Sequence, residues 1–225
     1  MTYIETLASC LLEGDPDKAW ACIEKYSGSS KPDVYHNLMT PAMRHIGFLW
    51  ETNEITVADE HLATATCDFI LSKLSYGMEK KPSAGKAMFL CLDGEQHYLG
   101  LMMVDSLFRE YGWDTRYFGP SLPLEYALQT AETWKPDVIG LSVSIVYHLP
   151  QLRQYAEAFG RLPEKPALLL GGRLTDLYDL RPYCTGDTVI IRDLPETEQW
   201  ILHHVTGGQQ SGTTQFIPSS PVFES

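Results

Sequence analysis

Apolar residues recur at helical spacing through the first eighty positions of the chain, in four separate runs. Polar caps and prolines mark where the helices begin: Asp15-Pro16 opens the second, Pro32-Asp33 the third and Thr56 the fourth. Four helices with short connections predict a helical bundle. The predicted apolar faces of the third and fourth helices are Val34, Leu38, Met39, Met43, Ile46 and Leu49, and Leu62, Ala65, Phe69, Ile70 and Leu74.

The pattern changes after a polar stretch, residues 79–86, which contains Pro82 and Gly85 and predicts a linker. Beyond it, five short apolar runs alternate with helical stretches, which is typical of a doubly wound parallel sheet. We therefore predict a helical bundle over residues 1–78, a five-stranded sheet domain over 87–206 and a flexible tail over 207–225. The predicted strands are Ala87–Leu92, Thr115–Phe118, Val138–Leu141, Ala167–Leu170 and Val189–Ile191.

Composition removes several classes of function. The 17 basic and 29 acidic residues give a net charge of −12, which disfavours direct binding to nucleic acid phosphates. The five cysteines form no CxxC pair, so we expect a reducing compartment without a disulfide framework or structural zinc. No apolar run approaches a membrane span, and the first residues lack the basic region of a secretory signal. We expect a cytoplasmic protein.

Three short motifs follow predicted strands, at the carboxyl edge where open α/β sheets bind ligands. His97 follows the first strand, and Glu95 is a candidate partner that would orient the ring if it bound a metal. A surface loop histidine is the equally open alternative. The motifs in order are Glu95-Gln96-His97-Tyr98-Leu99-Gly100, Ser142-Val143-Ser144 and Gly171-Gly172.

This ordered set resembles the base-off/His-on cobalamin-binding domain, whose pattern is Asp/Glu-x-His-x-x-Gly, then Ser-x-Leu, then Gly-Gly. The resemblance covers residues 1–206 and implies an α + α/β fold, a four-helix bundle followed by a Rossmann-like (flavodoxin-like) sheet. It implies that His97 is the lower ligand of cobalt and that Ser142 contacts the displaced base. Gly171 and Gly172 would leave room for the nucleotide tail, while Ser144 replaces the usual Leu on one wall of that pocket.

A second resemblance concerns the bundle, where Trp50 is followed by Glu60-His61 after nine intervening residues. This spacing is similar to that of the CarH-like adenosylcobalamin photoreceptors, in which the Trp covers the adenosyl group and Glu and His contact it. The alternative for Trp50 is a core aromatic residue at a helix end. For Glu60 it is a favourable charge near a helix N-terminus.

Two differences from the CarH-type repressors stand out. Their N-terminal DNA-binding domain has no counterpart before the bundle here, and Glu51 stands where they carry a second cobalt-binding His. Both differences favour the photocobilins, related B12 photoreceptors that also bind a bilin such as biliverdin. Several residues could line a bilin pocket: the tyrosines and tryptophans, His148, His203 and His204. Cys184 could attach a bilin covalently. Each of these residues also has an ordinary structural alternative.

The resemblances predict a non-enzymatic adenosylcobalamin photoreceptor that signals through a homo-oligomer or a light-dependent protein partner. The competing hypothesis is a corrinoid methyl-carrier protein of a methyltransferase system, which shares the bundle, the sheet and the His97 motif. A third idea is the small subunit of an adenosylcobalamin mutase, which usually lacks a bundle. Trp50, Glu60 and His61 distinguish the first hypothesis from the second, because a carrier requires an open upper face of cobalt.

Overall fold

The computed structural model describes residues 1–26, 30–77 and 83–207, with side chains to 204. The chain divides into two compact units, Met1–Glu79 and Lys80–Ser225. Residues 79–82 of the predicted linker and 208–225 of the predicted tail lie outside the described residues. None of the described helices combines the length and the apolar character that crossing a membrane requires.

The first unit is helical, as predicted. Its helices are α1 (Tyr3–Leu12), α2 (Pro16–Lys25), α3 (Lys31–Asp33), α4 (Thr40–Glu51) and α5 (Val57–Ser75). Capping boxes fix three of the helix starts, because the side chains of Thr2, Ser30 and Thr56 each accept a backbone N–H three residues ahead. α1 packs against α2, α4 and α5. The core of this unit includes Leu7, Leu11, Tyr35, Leu38, Met39, Ile46, Cys67 and Ile70.

The predicted third helix is a single helical stretch with a π-helical segment, Val34–Met39, between α3 and α4. The wider turn brings Tyr35 into the core beside Leu38 and Met39, and all three side chains are fully buried. Periodicity at 3.6 residues does not anticipate this segment, because a π turn adds one residue to the local repeat.

The predicted apolar face of α5 is right at Ile70, which is buried, but wrong at Leu62, Ala65 and Phe69. The helix buries Ala63, Thr66, Cys67, Ile70 and Leu71. Leu62 and Phe69 are exposed instead, and Phe48 and Trp50 of α4 are exposed as well. The smaller side chains lie inside because α5 packs closely against α1, α2 and α4.

The second unit is the predicted five-stranded parallel sheet, in the order β2-β1-β3-β4-β5. Its strands are β1 (Lys86–Cys91), β2 (Asp114–Tyr117), β3 (Val138–Ser142), β4 (Ala167–Gly171) and β5 (Val189–Ile190). Lys86, predicted to end the linker, therefore belongs to the first strand. The chain moves outward in opposite directions from β1 and β3, which makes the space above these two strands the topological switch point.

Helices cover both faces of this sheet: α6 (Leu99–Glu110), α7 (Leu124–Trp134), α8 (Leu149–Gly160) and α9 (Leu194–Gly207). Met88 and Leu90 of β1 pack in one core with residues of α7 and α8. Phe89 points to the opposite face, where Phe108, Trp113 and Trp200 form an aromatic cluster. His204 stacks on Trp200 there, and burial lowers the pKa of its ring.

At Gly172, directly after β4, the backbone leaves no room for a side chain. The φ of this glycine is +116°, and a Cβ atom added there would lie 2.1 Å from the carbonyl oxygen of Val143. The backbone must therefore move to accept any side chain at this position. The close approach of the two segments that follow β3 and β4 depends on this glycine.

We expect Gly172→Ala to destabilise the apo protein by about 2–4 kcal/mol, because it combines an unfavourable φ with a backbone clash. Gly186→Ala is the matched control, since a Cβ there meets no atom within 4 Å. Thermal unfolding of both variants measures the effect. Equal midpoints for the two variants would contradict the steric argument.

Candidate functional site

A fully buried carboxylate organises the loop that follows β1. The side chain of Glu95 is 0% exposed, and both of its oxygens accept hydrogen bonds. Its Oε1 accepts from the backbone N–H of His97 at 3.0 Å and lies 2.6 Å from the Nδ1 of the same residue. Its Oε2 accepts from the backbone N–H of Ser144 at 2.7 Å and lies 3.2 Å from Nδ1 of His148. Four donors from two loops thus surround one carboxylate.

This arrangement keeps Glu95 ionised. Burial by itself raises the pKa of the carboxyl group, but the hydrogen bonds from His97 and from the Ser144 amide outweigh it and lower the pKa to about 2. An ionised carboxylate only accepts hydrogen bonds, so both histidine Nδ1 atoms must carry a proton. In neutral His97, the lone pair therefore lies on Nε2.

His97 is the exposed part of this cluster. Its side chain is 49% exposed although Glu95, its partner, is completely buried. A neutral imidazole that donates from Nδ1 to a carboxylate and presents Nε2 to solvent has the arrangement common among metal-binding histidines. The predicted pairing of Glu95 with His97 is thus present as a contact.

Neighbouring loops hold the backbone around Glu95. The Ser121 hydroxyl accepts from the N–H of Gly94 at 3.0 Å and donates to a carboxylate oxygen of Asp93 at 3.1 Å. The N–H of Ser121 donates to the carbonyl of Glu95 at 3.1 Å. Tyr155 of α8 is buried, and its hydroxyl accepts from the N–H of Asp93 at 3.3 Å. The turn after β1 is therefore fixed on several sides.

The ends of β3 and β4 lie level with this loop. In the sheet register Cys91 pairs with Ser142, and Ser142 pairs with Gly171. The Ser142 hydroxyl lies 3.5 Å from the carbonyl oxygen of His97. Gly172 closely approaches the β3 segment, as described above. Gly100 lies in the first turn of α6, where nothing within 4 Å would meet an added Cβ.

Apolar side chains are exposed on the segments that follow the same strands. Val146 and Tyr147 follow β3, and Leu177 and Tyr178 follow β4. All four are exposed, Tyr147 to 91%. Large apolar groups left in water at one edge of a sheet indicate a surface that binds an apolar or aromatic partner.

The three bundle residues lie in the first unit, on the two helices that flank the turn between α4 and α5. Trp50 occupies the last turn of α4 and is 46% exposed, so it is not a core aromatic residue. Glu60, in the first turn of α5, accepts from the Thr64 hydroxyl at 2.8 Å and lies 2.9 Å from Nδ1 of His61. Glu60 and His61 thus form a hydrogen-bonded pair on the surface of the bundle.

The candidate bilin residues of the sheet unit do not gather at one place. Burial raises the pKa of the Cys184 thiol to about 11, and the thiol donates to the Leu180 carbonyl, so it is a poor nucleophile for covalent attachment. His204 stacks on Trp200 in the aromatic cluster. His148 belongs instead to the Glu95 cluster.

Sequence reasoning missed two of the four donors to Glu95. His148 was considered only as a chromophore contact, and Ser144 only for its side chain, whereas its backbone N–H makes the bond. Both residues lie in the segment after β3, which passes beside Glu95 because β1 and β3 are neighbours. The strand order could have pointed to this segment, but it could not identify the residue that turns inward.

We expect Glu95→Gln to destabilise the apo protein by up to about 3 kcal/mol at neutral pH, because a Gln side chain cannot accept from all four donors. The pKa of Glu95 is lowered from 4.5 to about 2, so its charge stabilises the fold above pH 4.5. That contribution is lost as the pH falls toward 2.

Urea unfolding of both proteins between pH 7 and pH 2 measures this difference, with Glu132→Gln on the exposed side of α7 as control. The wild-type advantage over Glu95→Gln should shrink across the acidic range, and a difference independent of pH would contradict the assignment.

Comparisons with known proteins bear on this site. The chain is 21% identical over 175 residues to dimethylamine corrinoid protein 1 of Methanosarcina acetivorans, covering 75% of this chain and 82% of the relative. It is 26% identical over 104 residues to the HTH-type transcriptional repressor CarA of Myxococcus xanthus, covering 46% of this chain and 34% of the repressor. The solved monomethylamine corrinoid protein of Methanosarcina barkeri superposes with a TM-score of 0.71 at 15% identity, covering 88% of this chain and 95% of that one, and it supports the fold.

Two protein-family models match this chain and together cover both of its units. One model described as a B12 binding domain matches residues 3–75, the helical unit. A second model with the same description matches residues 85–199, which include all three motifs at the strand ends. The chain therefore belongs to the family of B12-binding-domain proteins.

Proposed function

We propose that this protein binds cobalamin in the base-off/His-on form and that His97 is the lower ligand of cobalt. The observation that carries the proposal is the His97–Glu95 pair, with Nδ1 2.6 Å from a buried carboxylate oxygen and the ring 49% exposed. This pair presents Nε2 outward in a fixed orientation and in the correct tautomer.

The residues present fit a cobalamin. In the base-off/His-on form a protein imidazole would replace the cofactor's own base as a cobalt ligand, and His97 is the exposed imidazole of the cluster. Exposed apolar side chains after β3 and β4 suit the rim of a large flat ring. Gly171 and Gly172 leave the sheet edge without side chains where the displaced nucleotide tail would pass, and Ser142 offers a hydroxyl there.

Bound cobalamin supplies a cobalt–carbon bond that can transfer its organic group or be broken by light. The protein's own residues hold the cofactor for either use. His97 would bind and orient it, and the hydrogen bond from Nδ1 to Glu95 fixes the tautomer that leaves Nε2 free to ligate and restrains rotation of the ring. Because Glu95 stays ionised, it accepts the Nδ1 hydrogen bond without taking the proton.

We expect His97→Ala to bind cobalamin at least about tenfold more weakly and to leave any bound cofactor without a protein lower ligand. Absorption spectra and equilibrium titration with hydroxocobalamin measure both effects. His45→Ala in the bundle is the control and should match wild type. An unchanged spectrum and affinity for His97→Ala would refute the proposal.

The relatives that match most of the chain support a function as a methyl carrier. Dimethylamine corrinoid protein 1 matches 75% of this chain, and most of its own length is covered. We propose on this basis that the protein carries a methyl group on cobalt between partner methyltransferases, without turning over a substrate by itself. The upper face of cobalt must then be accessible to both partners.

A light sensor is the second candidate, favoured by one specific observation on the bundle. Trp50, Glu60 and His61 have the spacing of the CarH-like photoreceptors, and Trp50 is exposed instead of buried in the core. In this proposal Trp50 and Glu60 contact the adenosyl group of adenosylcobalamin, and light releases that group. The similarity to CarA, over 46% of the chain, is consistent with this candidate. A bilin as second chromophore would be an extension of it.

The sensor and the carrier should differ in their relative affinity for cobalamins that carry different upper ligands. A sensor should bind adenosylcobalamin in the dark about tenfold to a hundredfold more tightly than methylcobalamin, because Glu60 can accept hydrogen bonds from ribose hydroxyls that the methyl form lacks. Glu60→Ala should remove that preference, while Glu54→Ala on the neighbouring turn should keep it. Equal or tighter binding of methylcobalamin by wild type would reject the sensor and support the carrier.

A further inference from the structure

A second histidine contacts the buried carboxylate from the opposite side. Nδ1 of His148 lies 3.2 Å from Oε2 of Glu95, and the His148 side chain is mostly buried. Its other ring nitrogen faces the Gly94 backbone, where an added Cβ would lie 3.4 Å from Nε2. His148 therefore lies between Glu95 and the turn that carries it.

The fold fixes the position of His148. The residue ends a short 3-10 turn, Val146–His148, and directly precedes α8. Its N–H donates to the carbonyl of Ile145 at 3.0 Å. The preceding residue, Tyr147, is almost fully exposed, whereas the His148 ring turns inward to the carboxylate. The turn thus directs one specific side chain onto Glu95.

The four donors divide between the two oxygens of Glu95. Oε1 receives both donors of His97, while Oε2 receives the Ser144 N–H and the His148 ring. A carboxylate held at both oxygens cannot rotate about its Cγ–Cδ bond without breaking hydrogen bonds. Removing the His148 donor leaves Oε2 with the Ser144 N–H alone, in a place that water does not reach.

We propose that His148 is a positioning residue for cobalt ligation: it fixes the carboxylate plane of Glu95 and, through it, the orientation of the His97 ring. The inference deepens the proposed function and rests on it. It adds a residue that lies outside the three motifs and acts one contact beyond Glu95. His148 touches neither cobalt nor cofactor in this role.

Two substitutions of similar size test the role of the donor. In His148→Asn the amide nitrogen stands two bonds from Cβ, as Nδ1 does, so it can donate to Oε2. In His148→Leu the same volume carries no donor. We expect His148→Leu to bind hydroxocobalamin about tenfold more weakly. Substituting a residue that orients a metal ligand typically lowers metal affinity by about tenfold to a hundredfold, and this loss is at the small end of that range. His148→Asn should bind within about twofold of wild type.

The reduced cofactor gives a readout that reports ligation and not only stability. Cob(II)alamin with an axial nitrogen ligand shows nitrogen superhyperfine splitting in its electron paramagnetic resonance spectrum. The fraction of protein with this splitting should fall in His148→Leu and recover in His148→Asn, with thermal unfolding of the apo proteins checking that both variants fold.

Each outcome bears on the proposal. A lower split fraction in His148→Leu with recovery in His148→Asn supports it. Full splitting and wild-type affinity in both variants would overturn it and leave the role of His97 intact. Equal loss in both variants, when both fold, would also overturn it, because the donor would not be the cause. Absence of splitting in wild type would remove the lower ligand and both proposals with it.

Discussion

A carboxylate without exposure to water can stay ionised only where enough hydrogen-bond donors replace the water, and Glu95 meets four of them. The donors come from two loops that are 45 residues or more apart in the chain. They meet because β1 and β3 are neighbours in the sheet and Cys91 lies level with Ser142. The candidate site thus depends on the strand order, which brings these two loops together.

This constraint separates two properties of the site that would otherwise conflict. Orientation of a metal ligand requires a rigid, dry environment, whereas ligation requires an accessible nitrogen. Glu95 provides the first because it is completely buried, and His97 provides the second because half of its side chain is exposed. Gly171 and Gly172 leave the end of β4 without side chains, and Gly172 lies close to the backbone of Val143. A large ligand can then reach His97 without disturbing the buried hydrogen bonds.

The sequence predicted the bundle, the five parallel strands and the pairing of Glu95 with His97, because each depends on local spacing or on a motif. It did not predict His148 as a partner of Glu95, since a histidine six residues beyond Ser142 has no marked spacing relative to Glu95. The apolar face of α5 was predicted only in part, for a different reason. Ala63 and Cys67 are small enough to lie inside, whereas Leu62 and Phe69 remain exposed, so hydrophobicity alone selected the wrong residues there.

The proposed lower-ligand site in the sheet unit is compatible with both candidate functions, a methyl carrier and a light sensor, so the features that distinguish them lie in the bundle. A carrier must expose the upper ligand in every cycle, and strong contacts there would slow transfer. A sensor needs contacts that differ between its two states, because only differential binding shifts a conformational equilibrium. Glu60 already has two partners, Thr64 and His61, that fix its carboxylate on the surface of α5 before any ligand is bound. A pre-oriented acceptor of this kind adds affinity only for an upper ligand with hydroxyl groups, and a methyl group has none. If the protein binds cobalamin as proposed, contacts of Glu60 and Trp50 with the upper ligand distinguish the two candidate functions, and no property of His97 does.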